Sequence, residues 1–186
     1  MGELRFKFNS RKAAQATAFL LRRAGRCGIS KGYLSKMLYA ADRRQLRRVG
    51  LPITGDSPVS MKRGPVLSAT LDFLNGKRTD AFWEKHISKA RSDSHLVHLI
   101  EEPSFDLLTE NEKESLEMAY DFFSKKTWPE VEDFCHKKFK EWKDPGNSQN
   151  PIDFEDMMLA AGKSSEYVKD LIARQKEKQI LADLLT

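Results

Sequence analysis

The stretch YLSKMLYAADRRQLRRVGLPITGDSPVSMKRGPV, residues 33–66, decides the fold of this chain. Its first half predicts a helix that begins at a Ser30 cap and ends at Gly50, because apolar residues recur at steps of three and four. One face of this helix is therefore expected to lie in the core. The opposite face carries Arg43, Arg44, Arg47 and Arg48.

The second half of the stretch predicts turns and short extended pieces. The Gly-Asp pair at 55–56 suits a tight turn, because glycine tolerates positive φ and aspartate bonds its own backbone. Short strands are expected on either side of it, at 51–53 and 59–61. The Gly-Pro pair at 64–65 predicts the start of a third helix, since proline is tolerated in a first helical turn. That helix is expected to end at Asn75-Gly76.

Segments on both sides of this stretch also show regular patterns. Alanines and leucines over residues 11–26 form one helical stripe, with Asn9 or Ser10 available as the cap. Residues 82–89 and 95–101 read as two strands around a polar turn, which predicts an antiparallel β-hairpin.

The last third of the chain predicts further helices. Capping boxes of the form Thr-x-x-Glu at 109–112 and 127–130 each open a helix. The Pro/Gly/Asn-rich segment 143–151 predicts a loop. Two more helices are expected at 152–161 and 164–185.

These elements together predict a mostly α protein with minor β content (α+β minor). We expect a compact helical domain with a small antiparallel β-hairpin, spanning residues 1–145. Residues 146–186 are expected to form a C-terminal helical extension, packed on or appended to the same domain.

Charge is distributed unevenly along the chain. Residues 1–63 contain 15 Lys/Arg and three acidic residues, a net charge of +12, whereas residues 64–186 have a net charge of −7. The basic third predicts a surface for an anionic partner, either nucleic acid or an acidic protein. In the alternative interpretation, the two oppositely charged parts of the chain attract each other.

Several features predict a cytoplasmic protein. Cys27 and Cys135 lie far apart and form no disulfide pattern, which suits a reducing compartment. The N-terminus lacks the apolar segment of a signal peptide, and no apolar run is long enough to span a membrane.

The sequence contains no pattern that predicts catalysis. His95 and His98 would lie on opposite faces of a strand, and neighbouring His136 and Cys135 diverge on a helix. Nucleophile-elbow, phosphate-loop and dinucleotide-binding motifs are missing from the sequence. We therefore expect no enzymatic activity, no cofactor and no metal site.

A DNA-binding regulator is the main alternative to a protein-binding function. Two helices joined by a turn at 25–28 could form a helix-turn-helix motif, and the arginines of the second helix could contact phosphates. These arginines lie toward the C-terminal end of that helix, whereas base-reading residues usually lie at its N-terminal end.

The central stretch resembles the signature of the Panacea domain, found in SocA-like antitoxins. The matching residues are Leu34, Lys36, Leu38, Tyr39, Ala41 and Asp42, then Gly50, Pro52, Ile53, Thr54, Gly55 and Asp56, then Gly64, Pro65 and Val66. Trp83, His136 and Trp142 fit later positions of the family pattern, and Thr109 stands where the family usually has serine. The resemblance covers roughly residues 11–145.

The resemblance implies a mostly helical antitoxin that neutralises a cognate toxin by direct protein contact, in a type II toxin–antitoxin system. It implies no enzymatic activity, and some members of the family deliver the toxin to a protease as adaptors. Motif residues expected to hold the fold are Lys36, Tyr39, Asp42, Thr54, Gly55, Asp56, Gly64, Pro65 and His136. Exposed cations near the motif are predicted to contact the partner: Arg43, Arg44, Arg47, Lys62, Arg63 and Arg91.

Overall fold

The computed structural model of the chain describes residues 5–90, 92–93 and 95–184. Its helices are α1 (Ser10–Ala24), α2 (Lys31–Val49), α3 (Ser68–Leu74), α4 (Ala81–His86), α5 (Glu110–Phe123), α6 (Trp128–Lys138), α7 (Phe154–Ala160) and α8 (Ser165–Leu184). Its strands are β1 (Ile29–Ser30), β2 (Pro58–Ser60), β3 (Val66–Leu67), β4 (Leu96–Val97) and β5 (Asn150–Pro151). The predicted fold class, mostly α with minor β content, is confirmed.

Helix α2 lies at the centre of the fold. It packs against α1, α5, α7 and β3, and it buries Leu34, Leu38 and Leu46 in the main core. Replacing one such leucine with alanine in a core typically costs about 2–5 kcal/mol. The predicted limits of this helix are confirmed, although the Ser30 side chain at its N-cap makes no capping hydrogen bond.

Helix α1 packs beside α2 through small side chains. Asn9 caps it as predicted, because Asn9 Oδ1 accepts a hydrogen bond from the Lys12 backbone N at 2.9 Å. Ala13 and Ala16 are fully buried, so α1 can approach its neighbours closely. A single turn of 3-10 helix, Gly25–Cys27, then leads to β1.

The region after α2 differs from the prediction in two places. The third helix begins at Ser68 rather than at Gly64-Pro65, because Val66 and Leu67 form β3 and pair antiparallel with β2. Residues 51–53 form no strand, since the backbone N–H of Ile53 donates to the Asp42 side chain and not to a neighbouring strand.

The predicted hairpin over 82–89 and 95–101 is wrong in its first arm. Ala81–His86 is helix α4, whose first turn is capped by Asp80 Oδ1 accepting from the Trp83 backbone N at 2.7 Å. The second arm supplies β4, which pairs antiparallel with β1. A single antiparallel bridge between Ile87 and Leu99 remains of the expected pairing.

The C-terminal helices follow the sequence pattern closely. Both predicted capping boxes are present, at the starts of α5 and α6. The predicted loop 143–151 ends in β5, which adds to β2 as a third strand. Helices α7 and α8 match the last two predicted helices, and Met157 and Val168 bury their side chains in the main core. No helix in the described part of the chain has the length and hydropathy of a membrane span.

Candidate functional site

The carboxylate of Asp42 organises the turn that follows α2. It accepts hydrogen bonds from the backbone N of Ile53 at 3.0 Å, the backbone N of Thr54 at 3.1 Å and Thr54 Oγ1 at 2.7 Å. Burial raises the pKa of Asp42 to about 7, and the hydrogen bonds from Thr54 act in the opposite direction. The turn is thereby tied to the centre of α2.

A second carboxylate carries this polar network to α3. Thr54 Oγ1 accepts from the Asp56 backbone N at 3.1 Å. Asp56 in turn accepts from the backbone N of Ala69 at 3.0 Å, and from the backbone N and Oγ1 of Thr70, both at 2.7 Å. These amides belong to the first turn of α3, whose N-cap residue, Leu67, offers no side-chain acceptor. Asp56 therefore caps α3 from a distant turn.

Glycine is required where the N-terminal segment crosses this turn. Gly55 has φ +68°, and a Cβ there would collide with the backbone O of Lys7. The crossing is held by the Asn9 backbone N, which donates to Thr54 O at 3.0 Å. The Thr-Gly-Asp turn is thus buried between the N-terminal segment and α2.

Lys36 is a buried cation beside Gly64. Its Nζ donates to the backbone O of Pro65 at 2.9 Å, and the residue is only 2% exposed. Burial lowers the pKa of Lys36 to about 8, opposed by the nearby Cys135 and Glu132. A Cβ on Gly64 would lie 2.9 Å from Cys135 Cβ and 3.3 Å from Lys36 Nζ, so this close approach requires glycine.

Tyr39 and Arg43, one turn apart on α2, both bind the buried carboxylate of Glu141. Tyr39 Oη donates to Glu141 Oε1 at 2.7 Å, and Arg43 makes a bidentate pair through Nε at 2.6 Å and Nη2 at 3.1 Å. Burial, followed by the negative charge of Glu141, raises the pKa of Tyr39 well above its usual value. This cluster attaches the segment after α6 to α2.

His136 and Trp142 hold the loop that follows β2. Their rings stack with centroids 4.0 Å apart, and Trp142 Nε1 donates to the backbone O of Met61 at 2.9 Å. The loop that contains Met61, Lys62 and Arg63 is thereby fixed to α6 and the segment after it.

These contacts shape an open groove of about 670 Å³ at the N-terminal end of α2, which we call the basic groove. Trp128 lies against Gly32, where a Cβ would lie 2.8 Å from its ring, and its ring centroid is 5.4 Å from that of Tyr33. The apolar wall consists of Tyr33, Met61, Val66, Leu71 and Trp128. Polar and charged lining residues are Ser30, Lys31, Ser35, Lys36, Lys62, Arg63, Asn75 and His95.

The groove lining contains four cations and no carboxylate among the residues described. Acidic side chains follow Trp128 on α6. Glu132 lies 3.4 Å from Arg63 Nε, and Glu130 accepts hydrogen bonds from the backbone N and Oγ1 of Thr127. The groove therefore combines an apolar wall with net positive charge.

The cations predicted to contact a partner have different environments. Arg43 is paired with buried Glu141, and Arg44 lies 3.3 Å from both Ser115 Oγ and Glu114. Arg47 is exposed and makes no salt bridge with any described residue. Lys62 and Arg63 lie together in the basic groove. Arg91 lies outside the described residues.

Ion pairs across the fold explain much of the basic N-terminal charge. Five cations of the N-terminal third pair with acidic side chains of residues 102–121, in α5 or before it. They are Lys12, Arg22, Arg23, Arg44 and Arg48. The alternative interpretation of the charge asymmetry, in which the two parts of the chain attract each other, is the one that this geometry supports.

The sequence pattern does not reveal the aromatic part of the groove. It places Trp128 only in a capping box, and Tyr33 only among core-type residues. A large aromatic residue at the first position of a helix, beside a proline and with no place in an apolar stripe, is the available signal. Its partner Gly32 is far away in sequence, so local patterns cannot predict their contact.

No group of three or more metal-ligating side chains occurs within the described ranges. Both cysteines are free, and burial raises the pKa of the Cys135 thiol to about 11. A protonated, buried thiol is a poor nucleophile.

Comparison with known protein families identifies the chain. The family model described as Antitoxin SocA-like, Panacea domain, matches residues 34–143, which is more than half of the sequence. The chain belongs to this family. The matched range includes Asp42, Asp56 and most of the basic groove, whereas α1, α7 and α8 lie outside it. No curated protein and no solved structure matches the chain.

Membership of the SocA-like Panacea family indicates an antitoxin role in general terms, and hence a toxin as the kind of partner. The family signature coincides with buried contacts in this structure. Four signature residues contact the backbone or side chains of another segment: Lys36, Asp42, Asp56 and Gly64.

Proposed function

We propose that this Panacea-domain protein is a cytoplasmic, non-catalytic antitoxin that neutralises its cognate toxin by direct protein–protein binding, as in type II systems. The basic groove is the observation that supports this proposal. Its shape is set by the contacts of the family motif residues. Most motif residues serve to hold the fold. The toxin is contacted by the residues mounted on them and by Lys36 and Val66, the motif residues that line the groove.

The composition of the groove supports a protein partner. Protein interfaces are enriched in aromatic, methionine and arginine side chains at their energetic centres. The groove lining includes four residues of these types: Tyr33, Trp128, Met61 and Arg63. Lys62 and Arg63 are exposed at its rim, where a partner can reach them.

The geometry gives less support to DNA binding through α2. Residues 34–39, in the N-terminal half of α2, are all buried, so this part of the helix has no exposed face to place in a major groove. Arg44 and Arg48 are paired with Glu114, and phosphate contacts would have to replace those pairs.

Co-expression with the product of an adjacent reading frame tests the proposal. We expect that product to arrest growth when expressed alone, and growth to resume when this chain is also expressed. A complex should then co-purify at a fixed stoichiometry. Continued growth arrest together with the lack of a complex would contradict the proposal.

A further inference from the structure

The basic groove has the chemistry of a site for one kind of protein segment. We propose that it receives an acidic segment of the toxin, in which an aromatic or aliphatic side chain is flanked by aspartate or glutamate. This inference rests on the proposed antitoxin function and specifies the part of the partner that is recognised.

The apolar wall is built to accept an anchoring side chain. Trp128 is in close contact with Gly32, and Tyr33 Oη donates to the backbone O of Lys126 at 2.8 Å. Both rings are therefore held in place before a partner arrives. Such preorganisation reduces the entropic cost of binding. A volume of about 670 Å³ accommodates several side chains, which favours a chain segment over a single residue.

Charge complementarity selects the residues beside the anchor. Lys62 and Arg63 are exposed at the rim. Arg63 pairs with Glu132 at 3.4 Å, but its side chain is 73% exposed and can contact a further carboxylate. Lys31 Nζ is held 2.5 Å from Asn75 Oδ1. Within the described part of the chain, Lys36 Nζ has one hydrogen-bond acceptor, Pro65 O, although an ammonium group carries three donors. In a toxin segment whose apolar side chain fills the groove, the flanking carboxylates would pair with Lys62 and Arg63 at the rim and with Lys36 near the base.

The surrounding surface favours dispersed carboxylates over a polyphosphate chain. Single-stranded nucleic acid requires a continuous cationic track along its backbone. Here Glu132 of α6 lies 3.4 Å from Arg63 Nε, and Glu130 is two residues from Trp128, the residue of α6 that lines the groove. A peptide can place its carboxylates away from these groups, whereas a nucleic acid backbone carries a charge at every nucleotide.

The direct test uses a fluorescein-labelled octapeptide with a central phenylalanine between pairs of aspartate and glutamate, and the full chain. We expect saturable binding by anisotropy that weakens as NaCl is raised, because exposed charge pairs are screened. Replacing the phenylalanine with alanine, or all acids with their amides, should each weaken binding by about tenfold or more.

Variants of the chain locate the site. The double variant Lys62→Glu/Arg63→Glu should lose binding, since both residues are exposed at the rim. The matched control is Lys169→Glu/Lys176→Glu, which makes the same charge change at two exposed positions of α8. Helix α8 packs through Leu171 against Gly50, at the opposite end of α2 from the groove, so the control should bind the peptide as the wild type does.

Three results would overturn the inference: no binding of the peptide to the wild type, equal binding by Lys62→Glu/Arg63→Glu, or tighter binding of a single-stranded oligonucleotide of equal charge. The toxin itself separates this inference from the proposed function. Co-purification of toxin with both the wild type and Lys62→Glu/Arg63→Glu would retain the antitoxin function and exclude the groove. Failure of the wild type to bind any toxin would exclude the function, whatever the peptide shows.

Discussion

Asp56 and Thr70 are joined by two hydrogen bonds, since one carboxylate oxygen of Asp56 accepts from both the backbone N and Oγ1 of Thr70 at 2.7 Å. Asp56 belongs to the turn of the family signature, and Thr70 belongs to the first turn of α3. The turn after α2 therefore sets the position of α3, whose Leu71 and Asn75 line the basic groove. Motif residues that do not line the groove still determine its shape.

Replacing Asp56 with alanine should destabilise the fold by about 2–4 kcal/mol, because two buried amides and a hydroxyl lose their acceptor. The measurement is urea unfolding followed by circular dichroism. Asp144→Ala is the matched control, since exposed Asp144 accepts a single hydrogen bond, from Gly146 N, in a loop. That control should change stability by less than about 0.5 kcal/mol, and equal losses in the two variants would contradict the capping role of Asp56.

Stability should depend on pH through Asp42, whose pKa is raised by burial from 3.8 to about 7. Between these values the unfolded chain has released this proton while the folded chain retains it. The contribution of Asp42 to stability is therefore fully present below pH 3.8 and is lost as pH rises to about 7, by at most about 1.4 kcal/mol per pH unit.

Asp42→Asn isolates this effect, because an amide does not titrate. Unfolding free energies of the wild type and Asp42→Asn, measured by urea at several pH values from 4 to 8, should differ by an amount that changes with pH. As pH rises, the unfolding free energy of the wild type should fall relative to that of Asp42→Asn. Two parallel curves would show that Asp42 titrates near its ordinary pKa in the folded chain.

Gly64→Ala should destabilise the chain by about 2–3 kcal/mol, since a methyl group would be forced against Cys135 Cβ at a φ of +98°. Gly162→Ala is the matched control, because Gly162 has φ +89° and no atom lies within 4 Å of the position that a Cβ would take. Gly162→Ala should lose only about 1 kcal/mol of stability, because it adds the backbone strain of a positive φ and no steric contact. The excess loss in Gly64→Ala, measured by thermal unfolding, therefore reports the close packing against α6.

The Arg43–Glu141 pair should behave as a buried ion pair. Arg43→Met leaves the Glu141 carboxylate uncompensated in the core and should cost about 3–5 kcal/mol. The double variant Arg43→Met/Glu141→Gln should recover most of this loss, since glutamine is neutral and still offers an acceptor to Tyr39. Denaturant unfolding of Arg43→Met, Glu141→Gln and the double variant measures the coupling free energy between Arg43 and Glu141.

The exposed pair of Arg48 and Glu114 provides the comparison for this cycle. Arg48→Met should change stability by less than about 1 kcal/mol, because solvent screens the pair and the long side chains lose entropy in making it. A comparable cost at Arg43 and Arg48 would show that the Glu141 cluster is solvated.

Local signals in the sequence predict much of the fold. The limits of α1, α2, α5 and α6 follow from apolar periodicity and caps, which depend on residues within one or two turns. The sequence pattern predicts a strand where α4 lies, because a six-residue helix shows too few apolar positions to establish a period. The predicted start of α3 is too early for a different reason. Val66 and Leu67 pair with β2, and the helical pattern of the sequence does not show this pairing.

The sequence by itself determined the helical class, the positions of most helices and membership of the Panacea family, because caps, periodicity and spaced motifs are local properties of the chain. Only the tertiary structure decided which charges remain available to a partner. Much of the positive charge of the N-terminal third is neutralised by ion pairs with acidic residues about 70–100 positions away, as at Lys12, Arg23 and Arg48. The basic groove likewise joins residues 30–36, 61–75 and Trp128, and such a surface exists only after the chain has folded.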